Sequence, residues 1–552
     1  MKTYWKDLRQ EFAGYNGAAL LADILAGLTV AAVALPLALA FGVSSGADAA
    51  SGMITAILAG IVIGILGGAA YQISGPTGAM AAILVGIAGR YGVQGVLTAG
   101  FLTGAILLVM ALLRVGKLVS YIPVPVITGF TSGIAIIIAL GQIDNFFGTT
   151  SQGENALQKL ASYASLGFKP NPQAVLFGVL AVVVMLAWPK KLARWLPGSL
   201  MAIVVAIPIN FLLNPNSSAS QVAEVGAIPQ TLITPHGLLQ TGLDVSMLPQ
   251  LLLPACSIAA LGMIESLLCG AAAARMTGQP LNSTRELVAQ GIGNLVIPLF
   301  GGVPATAAIA RTSVGIKSGG RTRMVSVVHA ITLILSMFLL GGIMGRIPLA
   351  TLAGVLMVTA WRMNEWPAIR RLFQNKLRAS QAQFLATMAA TVVFDLVVAI
   401  LVGIGVAMLL FVLKSCNLEV AVSDVRRKQG GQEIAFPQVK VVYLTGPLFF
   451  GTQEQLTRQM AQMAEPLKGV IFSMRGVPYM DDTAADMLCE LTQQLNQQGT
   501  QVLFCAVQPK VKEVMEQAGL VEQTGAHCFV WDAMEAIDWM EHLNLLKTTQ
   551  SV

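Results

Sequence analysis

Two short stretches, Ser74-Gly75-Pro76-Thr77-Gly78-Ala79 and Val303-Pro304-Ala305-Thr306-Ala307-Ala308, each set a proline and a threonine at the front of an apolar run. Proline has no N–H to satisfy and suits a first helical turn, and the glycines beside Pro76 let a ligand approach the backbone. A helix that starts there presents unpaired N–H groups and the positive end of its dipole, an arrangement that attracts anions. One such segment alone reads as a proline kink. Two of them, each after a glycine-rich approach, read as two halves of one site. Arg311, about two turns past the second start, adds positive charge. Glu265 is an acid inside an apolar stretch, where it can take up a proton or, with Thr306, hold a sodium ion. The plainer roles are an end-of-helix arginine snorkelling to the interface, and a permanent ion pair between Glu265 and Arg311. Asp395 and His329 read as structural, and Asn282 and Asn294 as packing or hydrating groups.

The surroundings make these groups costly and therefore informative. In 552 residues, 55% are hydrophobic and only 11% charged, too few polar side chains to cover a water-soluble globule of that size. The chain is read as a polytopic membrane protein. Apolar runs predict about fourteen spans, at 23–41, 50–68, 75–89, 95–113, 122–141, 174–188, 196–213, 247–274, 286–300, 304–316, 324–343, 348–361, 382–397 and 398–414. The two broken stretches fall in the third and the tenth. Those are equivalent places in two halves of seven, and an odd number per half makes the repeats inverted, so the two helix starts face each other from opposite leaflets. Cations cluster in alternate connections (Arg114/Lys117, Lys190/Lys191/Arg194, Arg275/Arg285, Lys317/Arg321/Arg323, and 362–378), which assigns those connections and both termini to the cytoplasm. The net charge of +6 reflects this orientation rather than nucleic-acid binding. The small residues of 60–68 (GIVIGILGG) read as helix packing.

Residues 1–22 read as a cytoplasmic N-terminal segment, amphipathic at the interface and without the pattern of a cleaved signal. The transport-type membrane domain is 23–414. From about residue 437, β-rich runs alternate with helical ones to 552, a soluble α/β domain, and 415–436 is read as its linker. The six cysteines show no Cys-x-x-Cys pair and four fall in or next to the tail, which suits reduced thiols. The four histidines lack metal-ligand spacing, so no metal centre of the zinc type is expected.

Together, the stretches 27–42 (GLTVAAVALPLALAFG), 73–80 (ISGPTGAM), 122–136 (IPVPVITGFTSGIAI), 264–268 (IESLL), 281–296 (LNSTRELVAQGIGNLV), 300–323 (FGGVPATAAIARTSVGIKSGGRTR), 446–451 (GPLFFG) and 477–488 (VPYMDDTAADML) resemble the SulP anion permeases. The resemblance covers nearly the whole chain. It implies a seven-plus-seven inverted repeat with core and gate domains, a C-terminal cytoplasmic STAS domain, elevator-like alternating access and a homodimer. By position it implies an anion site made of Phe41, Gly75, Pro76, Thr77, Gly78 and Ala79, with Thr306, Ala307, Ala308 and Arg311, and an acidic coupling position at Glu265. Pro36-Leu37 and Ala307 depart from the common family pattern, so the anion stays open among sulfate, bicarbonate, chloride and dicarboxylates. Thr483, in Asp481-Asp482-Thr483, matches the STAS hydroxyl that is phosphorylated in some relatives; an ordinary helix N-cap is the alternative role for this stretch.

The expected function is secondary active transport of a small anion coupled to H+ or Na+. The competing readings are an uncoupled anion channel or exchanger, and a membrane-anchored regulatory scaffold acting with a cytoplasmic partner of the STAS domain. There is no phosphate-binding Gly-x-x-x-x-Gly-Lys-Ser/Thr loop, so no ATP-driven pump is expected, and neither an enzyme nor a cofactor is expected. The bacterial inner membrane is the expected location.

Overall fold

The computed structural model describes all residues except 1, 154–155, 190–191, 193–195, 216–221, 227, 229–230, 395, 417, 430–431, 462–466, 544 and 546–552. Asp395, the loop cations Lys190, Lys191 and Arg194, and the Gly430-Gly431 pair therefore lie outside the described residues. The chain divides into two compact units, Met1–Val406 and Ala407–Val552.

The first unit is helical. It runs through α1 (Lys2–Glu11), α2 (Gly17–Ser44), α3 (Ala49–Leu58), a π-turn (Ala59–Ile63), α4 (Gly64–Leu66), β1 (Ser74–Gly75) and α5 (Gly78–Leu112). It continues with α6 (Val124–Gly141), α7 (Ile143–Phe147), α8 (Ala156–Leu166), α9 (Pro172–Ala187), α10 (Gly198–Leu213), α11 (Leu238–Thr241), α12 (Leu248–Thr277) and α13 (Ser283–Leu299). Then come β2 (Thr306–Ala307), α14 (Ile309–Lys317), α15 (Met324–Met344), α16 (Leu349–Met363), α17 (Trp366–Gln374), α18 (Arg378–Val393) and α19 (Leu396–Ser415). Among the described residues, 7 helical stretches are long and apolar enough to cross a membrane, and α9, α10 and α16 are shorter apolar helices. The expected runs 75–89 and 95–113 fall together in α5, 35 residues long. A straight helix of that length would reach about 52 Å against about 30 Å of hydrocarbon, and Gly92 breaks it at φ 66.

The helices of this unit sort into two groups. In one, α13 and α12 pack on α5, α15 and α14 on α2, and α3 on α2. In the other, α18 and α16 pack on α6, and α16 and α10 on α9. Glycine sets some of the close approaches in the first group: a Cβ on Gly104 would lie 2.6 Å from the Leu295 nitrogen of α13, and one on Gly64 2.4 Å from Ser326 Oγ of α15. The 60–68 stripe is therefore packing. Asn16 and Asp48 start α2 and α3 by accepting from Ala19 N and Ser51 N at 2.9 and 2.6 Å.

The N-terminal segment is more firmly held than an interfacial helix would be. Asp7 pairs with Arg285 and Glu11 with Arg323, both at 2.7 Å, and the second pair is nearly inaccessible to water. Tyr4 lies under both guanidinium groups, and Asp23 accepts from Tyr15 Oη, Arg321 N and Thr322 Oγ1, tying this segment to the start of α15.

The segment expected to be a linker, 415–436, instead holds the last residue of helix α19, the first strand of a sheet and the start of the second. β3 (Glu419–Gln429) pairs antiparallel with β4 (Gln432–Thr445) as a hairpin. The charged Arg426-Arg427-Lys428 run marks an edge strand rather than an unstructured connection. The domain continues with α20 (Gln453–Ala461), β5 (Gly469–Gly476), α21 (Asp482–Gln497), β6 (Gln501–Cys505), α22 (Pro509–Gln517), α23 (Leu520–Thr524), β7 (Phe529–Val530) and α24 (Ala533–His542). Strands β4 to β7 are parallel, in the order β3-β4-β5-β6-β7. Helices cover both faces, so β5 reads as a continuous apolar run, and Phe472 stacks on Phe504 with ring centroids 5.5 Å apart.

Candidate functional site

β1 and β2 cross at the centre of the first unit. They pair antiparallel, Ser74 with Ala307 and Gly75 with Thr306, and Ala308 N donates to Ile73 O at 3.0 Å. Because the strands run in opposite directions, the helices that follow them, α5 and α14, leave the crossing in opposite directions. Their N-terminal ends therefore face each other, as two interrupted segments in matching places predict.

The first start is capped. Thr77 is the N-cap of α5; its hydroxyl accepts from Met80 N at 3.4 Å and donates to Glu265 Oε2 of α12 at 3.1 Å. The second start has no side-chain cap: Ala308 precedes α14 in extended conformation. Arg311 lies in the first turn of α14 rather than two turns in, because the chain stays extended through Ala308. It is 1% exposed, so it does not snorkel. Its Nη2 donates to Pro76 O at 2.6 Å, while Nη1 is a buried donor without a hydrogen-bond partner among the described residues. A Cβ on Gly75 would come within 2.5 Å of Arg311 Nη1, so this glycine makes room for the guanidinium as well as shaping the strand. No ion pair joins Glu265 to Arg311 among the described residues; each is held by the first broken element instead.

The other expected residues surround this pair. Thr306 Oγ1 lies 2.9 Å from Ser266 Oγ and 3.2 Å from Gly262 O, so β2 rests on α12 one residue beyond Glu265. Ala307 N donates to Ser266 Oγ at 3.4 Å. Ala79 is buried in the first turn of α5. Phe41 and Gly78 line a cleft of about 810 Å³ together with Ile138, Gln142 and Leu356. The cleft thus lies between the two helix groups. Thr77, Glu265, Thr306 and Arg311 are not among the residues that line it.

One helix that the sequence underrated holds the crossing in place. Along α13, Glu286, Gln290 and Asn294 follow each other at four-residue spacing on one buried face. Glu286 accepts from Gly68 N at 2.9 Å, on the approach to β1, and from Gln290 Nε2. Gln290 also donates to Ser74 Oγ at 3.0 Å. Asn294 accepts from Ala305 N at 2.8 Å and donates to Ala305 O at 2.9 Å, fixing the approach to β2 as one strand fixes another. Asn294 does more than pack; Asn282 caps α13 by accepting from Arg285 N. His329 is fully buried, and neither ring nitrogen has a hydrogen-bond partner among the described residues. In the second unit, Asp481 is the N-cap of α21, accepting from Ala484 N at 2.9 Å, and Thr483 is exposed in the first turn.

A bundle of membrane-length helices arranged around two paired, interrupted segments, with a second unit built on a mostly parallel sheet, defines a polytopic transporter with an α/β domain. Residues 20–390 match the sulfate permease family and residues 434–529 the STAS domain. The chain is 34% identical to a Bacillus subtilis protein named "Putative sulfate transporter YvdB", covering 94% of this chain and 97% of that one. It is 30% identical to the bicarbonate transporter BicA of a Picosynechococcus species, over 84% of each. Among solved structures, the transmembrane domain of a cyanobacterial BicA aligns with a TM-score of 0.64 at 28% identity, covering 71% of this chain and 98% of that one. Murine Slc26a9 shares the fold, with a TM-score of 0.81 at 18% identity, over 95% of this chain and 91% of that one. This chain belongs to the sulfate permease family.

Proposed function

We propose that the protein is a secondary active carrier of a small anion, of the sulfate, bicarbonate or dicarboxylate class, driven by H+ or Na+ and working by alternating access of the elevator type. The observation that carries this reading is the buried Arg311, with one Nη donor unpartnered, in the uncapped first turn of α14 and bonded back to Pro76 at the start of α5. A cation there adds to the positive pole of the helix instead of offsetting it, and an anion balances both. The names of the relatives, sulfate and bicarbonate transporters, support the substrate class.

The coupling ion is assigned to Glu265. Its carboxylate accepts the Thr77 hydroxyl at the cap of α5, so the charge on this acid is felt at the crossing. A proton or a sodium ion on Glu265, the latter shared with Thr306, removes a negative charge beside the anion pocket. Anion affinity then rises, and by linkage a bound anion raises the affinity for the coupling ion. The two helix groups serve as the moving core and the fixed gate, with the cleft between them as the route to the site. Two copies pair in a bacterial inner membrane with both termini cytoplasmic, and the exposed Thr483 is the hydroxyl a regulatory partner of the STAS domain would phosphorylate.

Uptake into proteoliposomes of the purified full-length protein tests this reading. Labelled sulfate, bicarbonate, succinate and chloride are each offered with an inward proton or sodium gradient. One anion should accumulate saturably under one gradient, and Glu265→Gln should still bind that anion while losing gradient-driven accumulation. Non-saturating currents would favour a channel. No transport by folded protein would favour a scaffold.

A further inference from the structure

Helix α17 serves none of the roles described so far. It joins α16 to α18, and at 9 residues, about 13 Å, it is too short to cross a bilayer. It therefore lies on the membrane surface, where α16 leaves and α18 enters. None of its residues is fully buried. Phe373 packs edge-on against Phe384 of α18 but stays 45% exposed, and Leu377 is 44% exposed. Trp361, at the end of α16, is 63% exposed and packs against Trp366, a tryptophan pair of the kind that lines membrane interfaces. Alongside this apolar edge, Arg362, Arg370, Arg371, Lys376 and Arg378 crowd into 17 residues that hold a single acid, Glu365. All five cations are exposed.

We propose that residues 361–378 form a docking surface for anionic phospholipid headgroups of the leaflet on which α17 lies. The apolar edge enters the headgroup layer while the arginines and lysine meet the lipid phosphates. The occupant is settled by place and charge: a helix between two membrane helices lies against the bilayer, and its excess of cations complements an anionic surface. α16 and α18 belong to the helix group that faces the cleft, lining it through Leu356 and through Val392 and Val393 at the end of α18. Lipid bound at α17 thus fixes that group to the leaflet. The inference needs only that the chain spans a membrane, so it stands apart from the choice of anion or coupling ion.

Lipid retention by the full-length protein is the test. Wild type and variants are purified from vesicles of mixed phosphatidylcholine and phosphatidylglycerol, and the ratio of the two lipids kept by the protein is measured. Arg370→Gln with Arg371→Gln should lower phosphatidylglycerol retention by about fivefold per charge removed, and salt should weaken retention by the wild type. Lys510→Gln with Lys512→Gln, exposed cations of the STAS domain, should leave the ratio unchanged. Unchanged retention in the arginine variant, or an equal loss in the lysine control, overturns the proposal. If the glutamine variant does not fold, Arg370→Lys with Arg371→Lys decides: it should keep both the retention and its salt dependence, and loss of either counts against the headgroup contact.

Discussion

The two broken elements are alike in outline and unlike in how their helices begin. α5 starts on a threonine whose hydroxyl both caps the first turn and reaches Glu265, while α14 starts on an alanine that caps nothing. The first element carries no charge in its first turn; the second places Arg311 in its first turn, among N–H groups of the same sign. One start is therefore satisfied from within the protein and wired to an acid, and the other is left electropositive. In the proposed mechanism the difference separates two tasks that a symmetric pair would merge: α14 would supply the attraction for an anion, and α5 the contact through which an ion on Glu265 would be felt.

The largest expected effect follows from removing the charge that makes the second start distinctive. Arg311→Ala should raise the anion KM by about a hundredfold, the scale of a buried charge-assisted hydrogen bond. Arg311→Lys should recover part of that loss, since it restores the charge but not the two-pronged guanidinium, one Nη of which donates to Pro76 O. Uptake kinetics over a range of anion concentrations would measure both. A KM left unchanged by Arg311→Ala would move the anion away from α14.

Next in size is a change in what holds the second element without touching its charge. Asn294 satisfies both the N–H and the carbonyl of Ala305, whereas on the first element Gln290 reaches only the Ser74 hydroxyl. Asn294→Ala leaves two buried backbone groups without partners, at about 1–3 kcal/mol each. Gln290→Ala removes side-chain bonds alone. Thermal unfolding of the two purified variants should therefore show the larger drop in Tm for Asn294→Ala. Equal drops would mean that α13 holds the two approaches alike, and the asymmetry would then rest on the caps only.

How far this arrangement was legible in the sequence depends on the solvent. In a bilayer a proline-glycine break or a lone charge is expensive, so Pro76, Pro304, Arg311 and Glu265 stand out from an apolar background. Ser266, Glu286 and Gln290 carry as much of the geometry but sit inside helices, and only the pairing of β1 with β2 shows which of their faces meets the crossing. The start of α14 at Ile309 was hidden for a related reason: the β1–β2 pairing, a long-range contact, keeps Thr306 and Ala307 extended where local pattern continues a helix. The strand β3 was missed because charges in 415–436 resemble those of a linker, although on a sheet edge charge is a device against unwanted pairing. The succession of β-rich and helical runs in the STAS domain, by contrast, is set by local composition and was readable.

The smallest effect addresses the asymmetry most directly. Ala308 already has the extended conformation of an N-cap, φ −114 and ψ 112, and lacks only the acceptor. Ala308→Ser supplies one. Its hydroxyl can accept from an N–H of the first turn of α14, which should stabilise the protein by about 1 kcal/mol, the usual worth of a cap. The same bond occupies a donor that the anion would otherwise use. Stability and affinity should then move in opposite directions: a higher Tm without anion, a KM raised a few-fold, and a smaller rise in Tm when anion is added. Most substitutions near a binding site weaken both together, so this opposition distinguishes a competing cap from ordinary damage. If Ala308→Ser raises Tm and leaves KM as it was, the anion does not rely on the N–H groups of α14, and the attraction must come from Arg311 alone.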